Sequence, residues 1–511
     1  MKSLVEINQL RRDGNVEEAF TECKLRLEEY PDDKDVRIAM AWCCKSRCEL
    51  AAKAVDAAKF VETFALLPQL SLEDVGESNI HNRFIWDIHV LFKALGNRNA
   101  QLADTASRVF AVIRQLNFIR PDKYYSLLAD TFVKVKASLN APWEPFADFI
   151  DWFDVDTLRP DDYKPIATGN AHKIPALADR ICSAYFRALN ARIERGQADE
   201  WQVDHFLTWT EWLDATHPQY QYTLYYRALI LLALDRKKDA FEAIRPFVQR
   251  KKNDYWVWDV LSETTDDPEI QLSCCCRALM CRAEQKYLGQ LRLKTARLMH
   301  ELGHDGNARC EIRLLSQTYT ALGWRIPTEA NDMRFQQWYQ NAEAPESNKD
   351  FYSDHLADSE AFLYCDMPKT AIIITHFNPD RNICHFVTED KKNGYFFPRG
   401  MKGRIAQNNI YLVRFDKTKP EGPAKILTIE KVTDVASYAN ILFKKIEGRL
   451  RMRPGASFGF VGDTYIDSSN IADGLADGSD VTGTAILTYN PKRNEITWRG
   501  ITLRPQQSDK K

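Results

Sequence analysis

Long apolar runs are missing from this sequence. Hydrophobic residues make up 45% of its 511 residues, but no stretch of about 18 or more consecutive apolar residues occurs, and a membrane-spanning helix requires a run of about that length. The opening residues, "MKSLVEINQLRRDGN", also lack the apolar segment of a signal peptide. The sequence therefore predicts a cytoplasmic protein without membrane segments.

Common signatures of nucleotide-binding and zinc-binding sites are also missing. The chain contains no phosphate-binding GxxxxGK[ST] loop and no pair of CxxC sequences. Its twelve cysteines cluster instead in "WCCKSRC" and "CCCRALMC", which are too tightly spaced for an ordinary disulfide framework and are typical of reduced, buried helix positions. Zinc binding by Cys44 and Cys48 is the alternative. We predict a binding protein that is not an enzyme, with no cofactor and no bound metal.

Charge is distributed unevenly along the chain. Residues 368–511 contain 23 Lys+Arg and 15 Asp+Glu, a net charge of +8, which leaves −10 for residues 1–367. A polyanionic partner is therefore expected to meet the C-terminal part.

The N-terminal two thirds of the chain has helical periodicity. In "INQLRRDGNVEEAFTECKLRLEEYPDD", apolar residues recur at helical spacing on both sides of a turn at Gly14, and the pattern stops at Pro31. Further helix pairs centre on Ala240, Leu272 and Ala308, at steps of 32 and 36 residues. This layout resembles the tetratricopeptide (TPR) repeat, which has a period of about 34 residues. The resemblance implies an α-solenoid.

Between the repeats, residues 61–220 remain helical but lose the period. Aromatic residues are frequent there, as in "APWEPFADFIDWF" and "WQVDHFLTWTEW". Rings at helical spacing are typical of core and interhelix packing. We predict an irregular helical bridge.

The segment His300-Glu301-x-x-His304 has the spelling of a zinc metalloprotease site, which requires both histidines on one continuous helix. However, "GHDGNA" (303–308) aligns with "GNVEEA" (14–19) of the first repeat, with Gly five residues before Ala in both. We predict a helix–helix turn at Gly303 that moves His304 off the face carrying His300. A zinc metallopeptidase remains the alternative.

After about residue 340 the pattern changes from helices to strands. A polar segment with the composition of a linker is followed by ten short runs of β-branched and aromatic residues, in two sets of five separated by a predicted helix at "DVASYANILFKK". Two five-stranded barrels of the OB type fit this spacing. The predicted domains are helical repeats at 1–60, an irregular helical region at 61–220, helical repeats at 221–325, a linker at 326–367, a first barrel at 368–431 and a second barrel at 440–505.

The second barrel resembles a cold-shock domain. "SFGFV" and "DTYID" stand where that family has its two nucleic-acid-binding motifs. The resemblance implies a stacking surface made of Phe458, Phe460 and Tyr465; the alternative is that these rings close the barrel. The family's lysine and its HF pair are replaced here by serine and aspartate residues. Further candidate binding residues, cationic or aromatic, are Lys444, Lys445, Arg449, Arg451, Arg453, Trp498 and Arg499.

The first barrel is similar to a more diverged copy of the same family. "THFNPDRNICHFVTED" resembles the first hairpin, and the candidate binding residues that follow it are Tyr395, Phe397 and Arg399. The register of "NICHFV" is ambiguous by one residue, which would exchange the two faces of the strand. Either His385 or Phe386 therefore points outward.

The order of these parts resembles a group of bacterial TPR proteins with C-terminal cold-shock/S1-like domains that are found with phage-defence conflict systems. The resemblance implies a non-catalytic adaptor that binds single-stranded nucleic acid, RNA in preference to DNA, through its barrels and protein partners through its solenoid, with no membrane partner. A pure protein–protein scaffold is the alternative. The predicted fold class is an N-terminal TPR-like α-solenoid followed by two small OB-like β-barrels.

Overall fold

A computed structural model of the 511-residue chain describes residues 2–74, 76–77, 79–96, 98–167, 173–398, 405–416, 422–472 and 474–506. The chain divides into two compact units. The first unit contains Met1–Lys252 and Glu263–Asp266, and the second contains Asn253–Ser262 and Asp267–Lys511. Helices come first and β-sheets follow, so the order predicted for the fold class is confirmed.

The described residues of the first unit are almost all helical, apart from loops and one antiparallel strand pair, β1 (Ile166–Ala167) and β2 (Lys173–Ile174). Its helices are α1 (Leu4–Arg12), α2 (Val16–Glu29), α3 (Lys34–Ala54), α4 (Ala57–Phe64), α5 (Asn79–Leu95), α6 (Asn99–Ile113), α7 (Lys123–Ser138), α8 (Phe146–Phe153), α9 (Leu177–Glu194), α10 (Glu200–Thr216), α11 (Thr223–Ala233) and α12 (Lys237–Lys251).

Local chemistry explains where the first helices begin and end. Ser3 caps α1 through a reciprocal pair of hydrogen bonds with Glu6, which satisfies backbone donors that have no partner inside the helix. Gly14 turns the chain into α2 with a φ of +88°, a conformation that glycine adopts without steric cost. The first predicted helix pair is therefore present.

The aromatic middle of the first unit is core, as predicted. Phe132 and Phe149 stack with ring centroids 4.2 Å apart, and Tyr125 and Phe153 stack at 4.6 Å. All four side chains are fully buried. They belong to one continuous hydrophobic cluster that runs from Ile7 to Ile230.

The second unit begins with seven helices. They are α13 (Tyr255–Ser262), α14 (Pro268–Leu279), α15 (Gly289–Glu301), α16 (Asp305–Ala321), α17 (Thr328–Phe335), α18 (Gln337–Asn341) and α19 (Lys349–Leu363). Ala240, Leu272 and Ala308 are all fully buried on the second helix of a pair, α12, α14 and α16 respectively. The spacing thus marks equivalent places in successive helix pairs, and their membership of the TPR family stays a prediction.

Residues 326–367, predicted as a linker, contain three helices instead. The longest, α19, packs against α14 and is anchored by the buried carboxylate of Glu311 on α16. Asn348 donates a hydrogen bond to Glu311 Oε1 at 2.6 Å, and the Tyr352 hydroxyl donates to the same oxygen. Polar residues of this segment are hydrogen-bond partners of a buried carboxylate. Sequence alone does not reveal that role.

In the described residues, eleven strands form the two C-terminal sheets. The first five are β3 (Thr370–Asn378), β4 (Ile383–Thr388), β5 (Asn393–Phe396), β6 (Ile410–Phe415) and β7 (Ile426–Lys431), and the rest are β8 (Phe443–Arg449), β9 (Arg451–Met452), β10 (Gly459–Val461), β11 (Thr464–Ile466), β12 (Asp480–Asn490) and β13 (Glu495–Pro505).

The strands of the second sheet close into a barrel. Its order, β8-β12-β13-β11-β10-β9, begins and ends on two segments of one stretch of chain, residues 443–452. Only the β11–β13 pair is parallel among the pairs described in this sheet. We call this the second barrel; its five chain segments close in the manner of an OB fold.

The first sheet has the order β5-β4-β3-β6-β7, which corresponds to the same arrangement. Its two edges approach each other, because the backbone N–H of Ala424 donates a hydrogen bond of 2.8 Å to the carbonyl of Tyr395 on β5. We call this sheet the first barrel.

The helix predicted at 434–445 is wrong. Only a short 3-10 turn, Val435–Tyr438, forms there, and β8 begins at Phe443. Leu442 is fully buried in a hydrophobic cluster shared by the two barrels, with Phe443 packed against it. Burial between the barrels therefore overrides the weak helical pattern.

Eleven of the twelve cysteines are buried, as predicted, and all twelve are free thiols; Cys365 is exposed. Burial raises the pKa of Cys48 well above its usual value, and the pKa of Cys275 to about 11. In the part of the chain that the structure describes, no helix is long and apolar enough to cross a bilayer.

Candidate nucleic-acid interface

Four strands of the second barrel each contribute one residue to a single row. Phe460 on β10 pairs with Arg451 on β9 and with Tyr465 on β11, and Tyr465 pairs with Arg499 on β13. Directly paired residues point to the same face of a sheet. This face is the outer one, because Phe460 is 36% exposed while its two neighbours along the strand are buried. We call these four residues the second-barrel row.

Phe458 joins the row from the chain just before β10. Its ring centroid lies 6.1 Å from that of Phe460 and 5.5 Å from that of Tyr465, and the last two are 5.7 Å apart. The three predicted rings therefore form one cluster. They lie outside the barrel core, whose buried members are Ile446, Leu450, Val461, Ile466, Val481, Ala485 and Leu503.

Gly459, between the two phenylalanines, is required by close strand packing. A Cβ atom at this position would stand 2.7 Å from Leu450 Cδ1 and 3.1 Å from the carbonyl oxygen of Arg451. The missing side chain lets β9 approach β10 on the interior side. The glycine in "SFGFV" thus sets the backbone that presents the flanking rings.

Four of the predicted cations are exposed, and three of them lack a carboxylate partner. Arg451, Arg453 and Lys445 have no carboxylate partner within 4 Å among the described residues. Arg451 belongs to the second-barrel row and Arg453 follows it closely along the chain, whereas Lys445 lies on β8 opposite Thr484. Arg451 and Arg453 are therefore the cations best placed to contact a strand that lies on the rings.

The other predicted residues of this barrel have partners within it. Lys444 forms an ion pair of 2.6 Å with Asp463, which holds the pKa of that carboxyl below its usual value, and covers the Trp498 ring at 4.7 Å. Arg449 pairs with Asp480 at 3.4 Å. Trp498 is half-buried against hydrophobic clusters. The structure does not bring Lys444, Arg449 or Trp498 to the second-barrel row.

Arg499 connects the two barrels. Its guanidinium donates a hydrogen bond of 2.8 Å to the carbonyl of Thr375 on β3, 124 residues away in the sequence, and burial lowers its pKa. The barrels also share one hydrophobic cluster. Its buried members are Ala371, Ile373, Val387 and Ile410 of the first barrel, Leu442 of the connection, and Ile486 and Leu487 of the second.

Three strands of the first barrel carry a second row. His376 on β3 pairs with His385 on β4, which pairs with Tyr395 on β5. The ring centroids are 6.1 and 6.0 Å apart, and the exposed ring of Phe397 lies 6.2 Å beyond Tyr395. We call these four residues the first-barrel row. Arg399, the remaining predicted residue here, lies outside the described residues.

The register of β4, left open by the sequence, is resolved. Cys384 and Phe386 are buried in the core of the first barrel, so His385 points outward. Neither histidine was among the predicted binding residues. For His385 the available signal was the alternation in "NICHFV", whose outward face is known only once the register is fixed.

A β-bulge brings His376 to the outer face. Ile372 and Ile374 point into the core of the first barrel, and strict alternation would point the His376 side chain into the same core. The pairing with β4 shifts by one residue at Thr375, so His376 faces outward beside His385. Thr375 is also the residue whose carbonyl accepts the Arg499 hydrogen bond. The bulge therefore lies at the hydrogen bond that joins Arg499 of the second-barrel row to the first barrel, one residue before His376 of the first-barrel row.

One carboxylate stands beside the rings. Asp467 accepts a hydrogen bond from the Tyr465 hydroxyl at 3.4 Å and another from the backbone N–H of Ser469 at 3.1 Å. The Ser469 hydrogen bond is the main cause that lowers the pKa of Asp467. Its negative charge opposes phosphate binding at this end of the row.

The HELGH spelling falls on two separate elements. Helix α15 ends at Glu301 and Gly303 has a φ of +82°, as in the first repeat, so the predicted turn is confirmed. The His300 ring stacks on Trp338 at 4.2 Å, whereas the His304 ring contacts Phe351 at 5.0 Å. The two imidazoles do not share a helix face.

A second sequence pattern typical of catalytic sites also lacks the structural context that such a site requires. Residues 455–459, "GASFG", match the GxSxG pattern of a nucleophile turn between a strand and a helix. Here Ser457 precedes a strand, β10. In the described part of the chain, no group of three or more His, Cys, Asp or Glu side chains has a geometry that holds a metal ion.

Comparison with known proteins gives two local matches. Residues 221–359 match the family model described as a domain of unknown function (DUF7017), which includes most of the segment predicted as a linker. Residues 444–503 match the S1/CSD-like domain 2 of the TOTE conflict systems. A search of curated proteins found no match. The second barrel is thus similar to an S1/CSD-like domain of conflict systems, which confirms the resemblance for this part of the chain.

Proposed function

We propose that this protein is a non-catalytic adaptor of a bacterial conflict system. Its barrels bind single-stranded nucleic acid, RNA in preference to DNA, and its helical region binds a protein partner. The observation that carries the proposal is the meeting of two outward rows of rings, one on each barrel, at the hydrogen bond between Arg499 and Thr375. The match of the second barrel to an S1/CSD-like domain supports the same function.

The chemistry of the rows suits an extended strand. Exposed rings stack on bases of any identity, and each such contact contributes about 1–3 kcal/mol. The rings Phe458, Phe460 and Tyr465 are adjacent, and Arg451 and Arg453 lie next to them to neutralise phosphates. Stacking combined with a few cations predicts binding with modest sequence preference and clear salt dependence.

The test is a fluorescence anisotropy titration of the full chain with labelled single-stranded RNA and DNA of the same sequence. Neutralisation of about two phosphates lowers affinity roughly sevenfold between about 50 and 200 mM salt. Tighter binding of RNA than DNA supports the strand preference, and equal binding removes it. No binding of either strand at low salt would leave the protein scaffold as the better hypothesis.

Binding should depend on strand length. A single OB barrel covers as few as about 4 nucleotides, so a strand of about 12 should engage both rows. We expect the double substitution His385→Ala with Tyr395→Ala to lower the affinity for the longer strand about tenfold. The affinity for the shorter strand, which binds at Phe458 and Phe460, should stay within about twofold. Equal effects on both lengths would contradict a joint surface.

Binding should also strengthen as the pH falls. Burial, with a smaller contribution from His376, lowers the pKa of His385 below the ordinary histidine value of about 6.5, so its ring is neutral at pH 7.5. A bound polyanion favours the protonated ring, so affinity rises as the pH is lowered from about 7.5 to 6. The measurement is the same titration over this range, with His385→Gln expected to flatten the dependence.

The stability of the free protein should change in the opposite direction. A histidine with a lowered pKa in the folded state takes up its proton more readily when unfolded, so its contribution to stability is lost as the pH falls below about 6.5. A parallel unfolding curve at each pH separates this effect from binding. A pH dependence of binding that survives in His385→Gln would assign it to another group.

The adaptor proposal also excludes turnover of the bound strand. After prolonged incubation with the full chain and Mg²⁺, labelled RNA and DNA should be recovered intact; shortened products would identify an enzyme.

A protein partner should remain captured by the Phe458→Ala, Phe460→Ala variant, because the ring cluster lies on the barrels.

A further inference from the structure

A cavity of about 820 Å³ opens in the first unit, remote in sequence from the barrels. This is within the range of small-molecule sites, roughly 300–1,000 Å³. Four helices line it: α1, α3, α5 and α7. Its lining includes Arg11, Trp42, Lys45, Arg83, Trp86 and Lys123.

Among the described residues, four cations and one carboxylate, Glu49, line the cavity. Lys45 has carboxylate partners, Asp87 at 2.9 Å and Glu49 at 3.4 Å. Arg11, Arg83 and Lys123 have no carboxylate within 4 Å in the part of the chain that is described, and Arg11 Nε is buried without a hydrogen-bond partner.

Two cations of α3 that do not line the cavity have carboxylate partners. Arg47 contacts Glu17 at 3.2 Å, and Lys53 contacts Glu49 at 2.7 Å. Helices α1 to α7 span residues 4–138, which contain 19 Lys+Arg and 20 Asp+Glu, so carboxylates are as frequent as cations in this part of the chain. Unpaired cations that converge on one cavity therefore indicate an anionic ligand.

Aromatic rings stand beside these cations. The Trp86 side chain is 54% exposed although it lines the cavity. The Arg11 guanidinium lies 5.7 Å from the Trp42 ring centroid, and the Lys123 ammonium lies 5.0 Å from that of Tyr124. The His89 ring lies 5.7 Å from the Trp86 ring, and the exposed part of the indole offers a stacking surface for a flat heterocycle. The adjacent guanidinium groups suit phosphate oxygens.

We propose that this cavity binds a nucleoside phosphate, either a free mononucleotide or the terminal nucleotide of a strand. The base stacks on Trp86, and the phosphate contacts Arg83, Arg11 or Lys123. The Ser46 hydroxyl and the Glu49 carboxylate, also in the lining, provide partners for sugar hydroxyls. An acidic peptide fits less well, because its carboxylates offer no flat ring to stack on the exposed Trp86 side chain.

The test uses the full chain with Phe458→Ala and Phe460→Ala, so that binding at the barrels is weakened. Isothermal titration with AMP, GMP, CMP and UMP should give one site, with adenosine and inorganic phosphate each binding more weakly than AMP. Trp86→Ala should lower the affinity for the mononucleotide between about fivefold and 100-fold, as loss of base stacking does.

Matched controls keep the result interpretable. Trp201 is 59% exposed on α10 of the same unit and does not line the cavity, so Trp201→Ala should leave the affinity unchanged. Arg83→Ala should lower the affinity for the mononucleotide and for phosphate alike. Arg12 is exposed and lies outside the lining, so Arg12→Ala should leave both affinities unchanged. Trp86 and Arg83 are exposed, so their substitution preserves folding.

Two further arms identify the source of the ligand. A short oligonucleotide with a 5′ phosphate that displaces AMP, when its 5′-hydroxyl counterpart does not, indicates a strand end; displacement by neither indicates a free mononucleotide. Failure of all four mononucleotides to bind would overturn the proposal, as would affinities unchanged by Trp86→Ala and Arg83→Ala. So would tighter binding of a poly-glutamate peptide at this cavity. None of these results depends on whether the barrels bind nucleic acid.

Discussion

Substitution of Phe458 and Phe460 together by alanine should weaken binding of a single-stranded oligonucleotide on the order of 100-fold. Both rings belong to the outward cluster with Tyr465, and each stacked base contributes about 1–3 kcal/mol. The two phenylalanines lie outside the barrel core, so folding should survive the change. The measurement is an anisotropy titration at low salt, with circular dichroism to confirm the fold.

The matched control is Phe335→Ala. Phe335 is 85% exposed on α17 of the same unit, so the same atoms are removed from a surface away from the rows. We expect affinity within about twofold of the unsubstituted protein, which is the usual result for a surface change without a partner. An equal loss of affinity in both variants, or no loss in the double variant, would show that the rings are not part of the binding surface.

Substitution of Glu311 by alanine should lower the free energy of unfolding of the second unit by about 3–5 kcal/mol. Glu311 is fully buried and forms an ion pair with Arg292, itself buried. It also accepts the hydrogen bonds from Asn348 and Tyr352 that hold α19. Removal of the carboxylate leaves the buried guanidinium without a counter-charge, which costs about that much. Urea unfolding of the full chain provides the measurement.

An exposed ion pair in the same helices is the control for that loss. Arg297 on α15 contacts Glu329 on α17 at 2.6 Å with both side chains nearly half exposed. Arg297→Ala should cost under about 1 kcal/mol, because water screens and replaces such a contact. Hydrogen exchange should locate the Glu311 effect in α19. A Glu311→Ala protein as stable as the Arg297→Ala protein would contradict the anchoring role.

The candidate site was predictable where its residues are close in the sequence. Phe458, Phe460 and Tyr465 come from two consecutive short strands, so alternation and one tight turn place them together. The cations were predicted less well, because their availability depends on partners. Lys444 is paired with Asp463, 19 residues on, and Arg499 is committed to the Thr375 carbonyl. A count of basic residues does not distinguish a free cation from one that has a partner.

Local periodicity determined most of the element order, the turn at Gly303 and the burial of the aromatic middle, because each depends on residues within one or two turns of chain. Tertiary structure decided the rest. The bulge at Thr375 turns His376 outward. Burial in the cluster between the barrels places Phe443 in a strand where the sequence pattern predicted a helix. The buried Glu311 anchors a helix in the segment that was predicted to be a linker. In each case the deciding contact comes from a distant part of the sequence, and its free energy exceeds the small local preference that the sequence pattern records.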